Sequence, residues 1–232
     1  MITLIIPTMW KSERLLPFLY DISYLKIINQ ILIIDNNPSK RPLIQRDDIS
    51  CISGVSQYLN PAWNLGIETA KNDLCCIMTD TTIFDPRLFG RVVEWIYKNG
   101  EDFGLIGLNI SDKNNGSISI RDYQLGDCLN NFFRCFFLKK EYYYKKIPED
   151  LELYFGDNFL FDSCLWRSDK VFLHGKRILV IDNLFYDTIP GKTTGEMPNA
   201  YGMYLKDREV YRRIITENGH DPKVWCPNHF RE

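Results

Sequence analysis

The 232-residue sequence contains only three histidines, a scarcity that narrows the catalytic repertoire at once. No GxSxG elbow occurs, so Ser- or Cys-based triads have little to build on. HExxH and paired CxxC motifs are missing, which argues against zinc hydrolase and zinc-ribbon chemistry. Neither GxGxxG nor GxxxxGK[ST] is present, so both glycine-rich phosphate cradles are excluded. Neither sign of charge dominates: 28 Lys+Arg face 30 Asp+Glu, for a net charge of -2. That balance provides no global attraction for nucleic acid or an anionic membrane. No apolar stretch approaches the roughly 18 to 20 residues of a membrane span, and the opening MITLIIPTMWKSER lacks a cationic n-region, predicting no signal peptide. The seven cysteines are scattered, with Cys75 and Cys76 adjacent, a poor disulfide framework that predicts a reducing, cytoplasmic setting. His220, Cys226 and His229 gather metal-type ligands in the tail, but an irregular terminus favours unconnected roles for them.

What the sequence does contain is a 45% hydrophobic, 25% charged composition, the balance of a folded α/β protein with a sizeable core. Ile2 to Ile6, Ile31 to Ile34 and Leu74 to Met78 are continuous apolar runs, as expected of strands buried on both faces. Each run ends in polar residues. Between them lie helical patterns: one after Ser12 as N-cap, with Leu15, Leu16, Leu19 and Ile22 on one face, and one over 61–70 with Asn60 as cap. A third helix opens at Pro86, with Asp85 suited to cap it. This alternation predicts a parallel βαβ sheet whose ligands bind beyond the carboxyl ends of the strands. After residue 104 the pattern changes to mixed or antiparallel strands near 104–108, 117–120, 132–138 and 178–181. Helices are expected over 156–166 and 204–216, with a glycine-rich mobile loop over 190–203. The whole of 1–232 is expected to form one domain, with halves at 1–110 and 111–232 sharing a sheet.

Three segments carry the chemistry. They are Ile5-Ile6-Pro7-Thr8 with Glu13 beyond it; Ile33-Ile34-Asp35-Asn36-Asn37; and Asn60-Pro61-Ala62-Trp63-Asn64-Leu65-Gly66 followed by Ile77-Met78-Thr79-Asp80-Thr81. In this order they resemble the family 2 type of nucleotide-sugar glycosyltransferases with the GT-A fold, closely over residues 2–110 and loosely thereafter. The resemblance implies an α/β, GT-A-like, mostly parallel sheet flanked by helices. It places Pro7, Thr8 and Glu13 in the nucleotide pocket, with Asp35 and its neighbour Asn37 at the base or ribose. Asn64 falls near the sugar diphosphate. Thr79-Asp80-Thr81 stands where the family has an Asp-rich motif for Mn2+ or Mg2+, so Thr79 would line the donor site and Asp80 would be a metal ligand. In Tyr154-Phe155-Gly156-Asp157-Asn158, Asp157 matches the general base that activates the acceptor hydroxyl, implying inversion. Asp187 falls where the family often has a metal-binding histidine, and Lys192 nearby is a candidate for phosphate contact.

The residues also admit plainer readings. A departing diphosphate needs a divalent or fixed cation, and a single carboxylate with hydroxyls can suffice for hard-oxygen coordination. Asp35 could form an Asx turn with Asn37, Trp63 could be core, and Asn64 a surface helix residue. Asp157 could be a helix N-cap, with Asp150 and Glu152 as fallback bases. Lys139, Lys140, Lys145 and Lys146 with Tyr142 to Tyr144 form a basic patch. That patch would suit an anionic acceptor, DNA or a membrane surface, or simply a solvated face. The expectation is transfer of a sugar from a nucleotide-diphosphate donor to a hydroxyl acceptor, either a glycan or a hydroxylated base in modified DNA. The rivals are a GT-A-like binding module without catalysis and a nucleotidyltransferase, the latter disfavoured by Pro7-Thr8-Met9-Trp10.

Overall fold

The computed structural model describes residues 1–22, 25–54, 58–83, 85–99, 103–110, 119–123, 134–143, 145–166, 177–184, 187–188 and 199–230. Its strands are β1 (Ile2–Thr8), β2 (Ile28–Asp35), β3 (Ile49–Ser53), β4 (Leu74–Met78), β5 (Thr82–Ile83), β6 (Phe103–Ile110), β7 (Ser119–Asp122), β8 (Cys135–Lys139), β9 (Arg177–Leu184) and β10 (Asp187–Thr188). The helices are α1 (Leu15–Asp21), α2 (Leu59–Thr69), α3 (Pro86–Lys98), α4 (Gly156–Trp166), α5 (Ala200–Glu217), α6 (Pro222–Trp225) and α7 (Pro227–Phe230).

One eight-stranded sheet runs in the order β3-β2-β1-β4-β8-β6-β9-β7, and β5 pairs with β10 in a separate two-stranded sheet. The β3-β2, β2-β1, β1-β4 and β6-β9 pairs are parallel, whereas β8 lies antiparallel to both β4 and β6, and β7 antiparallel to β9. The expected mixed, mostly parallel sheet is therefore present. Because strand side chains alternate between faces, Ile5, Leu32, Ile34, Ile77, Phe136 and Leu138 face a core shared with α2, α4 and α5. Leu4, Ile6, Ile31, Ile33, Met78 and Phe137 face the opposite core, under α1 and α3. Burial on both faces is why these strands read as unbroken apolar runs.

Several local expectations need correction. Strand β3 escaped the pattern because it is an edge strand whose Ser50 and Ser53 break the apolar run, leaving it half-covered. Ser12 does not cap α1: Arg14 holds the N-cap position without a side-chain bond. Asn60 does not cap α2 either, because the helix starts one residue before it and Tyr58 is the N-cap. Asp85 does cap α3, accepting from the Arg87 and Leu88 backbone N–H groups. The helix expected over 204–216 begins at Ala200, so 200–203 belong to α5; residues 190–198 of the expected loop, and Lys192 with them, lie outside the described residues. Trp63 is core, 1% exposed and edge-on to Phe136.

Candidate active site

The parallel strands β1, β2 and β4 end along one edge of the sheet, and their terminal residues are joined by side-chain hydrogen bonds. Thr8 closes β1 opposite Asp35, its register partner at the end of β2. The Thr8 hydroxyl donates to Asp80 Oδ2 at 2.6 Å, just past the end of β4, and accepts the Trp10 backbone N–H at 2.8 Å. Trp10 Nε1 then donates to Asp35 Oδ1 at 2.8 Å. Trp10 adopts a left-handed backbone with φ of 57°. That conformation is uncommon for a bulky residue and costs about 1–2 kcal/mol, so the two hydrogen bonds hold a strained residue at the rim. Trp10 was not among the expected site residues. An aromatic two residues beyond a strand-ending Thr was the available signal.

Asp35 satisfies both readings of its position in part. Its Oδ1 accepts the Asn37 N–H at 3.0 Å, completing the Asx turn, and its Oδ2 accepts Arg41 Nε at 2.5 Å. The carboxylate is 0% exposed, so a ligand reaches it only if Trp10 or Arg41 moves. Asn37 Oδ1 accepts the Ser39 hydroxyl. Pro7 is buried inside β1 opposite Ile34, and Glu13 is exposed in the turn before α1.

Asp80 is buried, and burial raises its carboxyl above the ordinary value. The Thr8 hydroxyl and the backbone N–H groups of Met9 and Asp80 oppose that shift, with Lys11 the weakest influence. A desolvated carboxylate with so little cationic compensation is the electrostatic situation that a divalent cation relieves. Thr79 Oγ1 lies 2.9 Å from Thr82 Oγ1 and 3.3 Å from Thr81 Oγ1, adding hard hydroxyl oxygens beside it. Among the described residues no group of three His, Cys, Asp or Glu side chains converges. The backbone does bring a second carboxylate-bearing position to this segment: β10 pairs antiparallel with β5, setting Asp187 opposite Ile83 and Thr188 opposite Thr82. Carboxylate and hydroxyl oxygens of the kind Asp80 and the threonines carry are the hard donors that Mn2+ or Mg2+ takes.

Asp157 lies in the first turn of α4 and is 6% exposed. It is positioned by contacts that sequence reading did not anticipate. The Asn60 side-chain amide donates to the Leu151 and Tyr154 carbonyls at 3.0 and 3.1 Å. Gly156 packs so tightly on Asn60 that a Cβ would overlap its Oδ1. Helix α2 runs from the end of β3 toward the start of β4, so its N-terminus sits at the edge where β1 and β2 also end. Docking Gly156 on Asn60 therefore sets the start of α4, with Asp157, beside the N-terminus of α2. Asn64 works as a second brace: its amide donates to Ile147 O at 2.9 Å and accepts the Ile147 N–H and the Tyr143 hydroxyl. All three bonds go to the 143–147 segment.

Asp207, in the middle of α5, is fully buried and accepts backbone N–H groups from Glu152, Leu153 and Tyr154 at 3.3, 2.8 and 2.8 Å. It thereby fixes the loop that enters α4. Asp207→Ala would leave those donors unmet and is expected to cost about 3 kcal/mol or more, read as a lower urea midpoint. The fallback bases are committed elsewhere: Asp150 pairs with Arg213 and Glu152 with Lys206.

A second buried acid, Asp162, accepts hydroxyls from Tyr123 and Tyr211, both at 2.6 Å. Burial pushes its carboxyl up to about 7, against the pull of the two phenols. A folded value above the unfolded one means the native state holds the proton longer. Stability should therefore decline as pH rises from the unfolded value of 3.8 to about 7, then level off. Asp162→Asn is expected to flatten that slope in melts recorded from pH 4 to pH 8.

The lysines of the basic patch have structural partners. Lys146 pairs with Glu68, Lys140 donates to the Ala70 carbonyl, and Lys139 and Lys145 lie over the Phe103 and Phe159 rings. In the tail, His229 Nδ1 is 3.0 Å from the Tyr204 hydroxyl, His220 packs on Trp225, and Cys226 is buried near Asn158. Those three residues do not form a metal-ligand group.

No protein-family profile matches the chain, and no curated protein is similar to it in sequence. Solved structures do match. The glucosyl-3-phosphoglycerate synthase from Mycobacterium tuberculosis, in complex with Mn2+, UDP and phosphoglyceric acid, superposes with a TM-score of 0.60 at 12% identity. That match covers 94% of this chain and 78% of the synthase. S. aureus TarS residues 1–349 give a TM-score of 0.58 at 11% identity, covering 93% of this chain and 64% of TarS. GalNAc-T7 with UDP, GalNAc and Mn2+ gives 0.60 at 12% identity, covering 93% and 48%. The chain thus has the GT-A fold of nucleotide-sugar glycosyltransferases, and it spans less than two thirds of the TarS and GalNAc-T7 chains.

Proposed function

We propose that the protein is a glycosyltransferase that moves a sugar from a nucleotide-diphosphate donor to a hydroxyl acceptor. The observation that carries this reading is the hydrogen-bonded series Asp80–Thr8–Trp10–Asp35 across the ends of β4, β1 and β2. It sets an acidic, hydroxyl-rich cluster beside an indole backed by a carboxylate, one suited to a metal diphosphate and the other to a nucleoside. Thr8, Trp10 and Asn37 would form the nucleoside side, with Asp35 reached once Trp10 or Arg41 moves, Pro7 buried behind them, and Thr79 toward the diphosphate. Asp80, with Asp187, would hold Mn2+ or Mg2+, which when bound neutralises charge developing on the leaving diphosphate. Asp157 would take the acceptor proton as the hydroxyl oxygen bonds to the anomeric carbon and the bond from that carbon to the diphosphate breaks. Such a displacement inverts the anomeric centre. The synthase and GalNAc-T7 structures, with their UDP and Mn2+, support this donor chemistry by likeness of fold. The acceptor fits a glycan or another small hydroxylated molecule better than DNA, because the net charge of -2 provides no general attraction for a polyanion.

The test is thermal stabilisation by UDP, GDP, dTDP and CDP, each with and without Mn2+. A ligand present at about 100 times its dissociation constant adds roughly 2.7 kcal/mol, a readily visible shift. One nucleotide acting strongly and only with Mn2+ is the expected outcome. Stabilisation without Mn2+ would point to a metal-free transferase, and no shift with any nucleotide would favour a binding module without catalysis.

A further inference from the structure

Along α5 lies a groove of about 420 Å³ lined by Arg208, Arg212, Lys223, His229 and Phe230. We infer that this groove binds the anionic group, a carboxylate or phosphate, of the acceptor; the inference rests on the sugar-transfer reading above.

Arg208 and Arg212 are one helical turn apart and therefore share a face. Between them Glu209 serves both guanidiniums at long range, 3.4 Å from Arg208 Nη2 and 3.5 Å from Arg212 Nε. Good charge-assisted bonds are about 2.7–2.9 Å, so one carboxylate incompletely satisfies two cations. Arg208 Nε is buried and has no acceptor, an unfavourable condition that an incoming anion oxygen would relieve. Lys223 adds a third cation from α6, whose N-cap Asp221 accepts the Lys223 backbone N–H at 2.9 Å. The lining thus carries three cations against the carboxylates of Glu209 and Asp221. Planar guanidiniums favour carboxylate and phosphate over other anions because their paired N–H groups match the oxygen spacing.

His229 adds a neutral ring to the lining. Burial and the nearby Arg208 hold its pKa below the ordinary value, so the ring is uncharged at neutral pH. Its Nδ1 lies 3.0 Å from the Tyr204 hydroxyl, which holds the ring in place. Phe230 supplies an apolar wall suited to the face of a sugar. The groove is also connected to the proposed base: the His229 ring stands edge-on to Phe155 at 5.0 Å, and Phe155 is two residues from Asp157. An acceptor anchored by its anionic end in the groove would be held beside the segment that carries that carboxylate.

The experiment is a titration of the 15N-labelled full chain with glucose 6-phosphate, glucuronate, inorganic phosphate and glucose, following arginine Nε–H resonances assigned with Arg208→Gln and Arg212→Gln. The expected result is a saturable shift of the Arg208 signal with at least one anionic sugar and none with glucose. Arg208→Gln or Arg212→Gln should weaken that binding at least tenfold. Arg213→Gln, on the same helix but paired with Asp150, should change it less than twofold. Equal losses in all three variants, or shifts that never saturate, would overturn the inference. Inorganic phosphate binding as tightly as the sugars would overturn the assignment to an acceptor. Nucleotide stabilisation measured on the same samples separates the two readings: retained without anion binding, the groove inference alone fails. Anion binding without nucleotide stabilisation overturns the transfer reading and, with it, the acceptor assignment.

Discussion

Asp80→Asn is expected to reduce donor turnover about a hundredfold or more while leaving the metal-free protein at least as stable as the parent. The asymmetry follows from burial. Asparagine keeps an acceptor for the Thr8 hydroxyl at Asp80 Oδ2 but removes a charge that burial disfavours. Stabilisation by nucleotide that depends on Mn2+ should vanish in the variant, and any metal-independent nucleotide binding should survive. Because protons and metal compete for the same raised carboxylate, Mn2+ affinity in the parent should weaken as pH falls toward that value. Donor hydrolysis assays with melts in the presence and absence of Mn2+ measure all of this. Unchanged turnover in the variant would exclude Asp80 from the metal site.

Asp157→Asn should lower the rate of transfer to an acceptor by about 10² to 10⁴-fold, the usual range for removing a general base. Nucleotide-induced stabilisation should be unaffected, because the donor cluster at Asp80, Thr8 and Asp35 lies on other elements. Matching controls are available in the same region. Asp150 and Glu152 are paired with Arg213 and Lys206, so Asp150→Asn and Glu152→Gln should change transfer only a few-fold. Single-turnover kinetics with preloaded donor would separate the chemical step from binding. A loss below tenfold for Asp157→Asn would remove it from the role of base. A comparable loss for Glu152→Gln would move the role there.

The two expectations draw on different kinds of information. Asp80 was legible in the sequence because a buried parallel strand ending in a polar residue leaves little choice about where that residue goes. Ile77 and Met78 alternate between the two cores, and the chain then reaches the ligand edge of the sheet. The same local logic locates Thr8 and Asp35. For Asp157 the sequence indicated a helix beginning at Gly156 but not its position. Its place depends on Asn60, 91 residues away from the Leu151 carbonyl that its amide binds.

The Asn-Pro-Ala-Trp-Asn-Leu-Gly segment shows the difference well. It carries part of the resemblance, which implies a place for Asn64 near the sugar diphosphate. In the fold, its asparagine amides brace the segments leading to α4, while Gly66 lets α2 approach β1 so closely that a Cβ would overlap Ile5 Cγ2. Asp207 was invisible for a related reason. A lone acid within a charged amphipathic helix resembles a solvated residue until its three backbone donors arrive from 152–154. The basic patch, which the sequence left open between a binding surface and a solvated face, turned out to have a side-chain or backbone partner for each lysine.

Periodicity fixed the strands buried on both faces and the amphipathic helices between them, because burial on a regular backbone imposes a repeat that neighbouring residues must carry. The half-covered edge strand β3 carried no such repeat. Which carboxylates meet, which asparagines brace, and which lysines are occupied was settled by folding, because a polar group's role depends on partners 50 to 90 residues away that satisfy it.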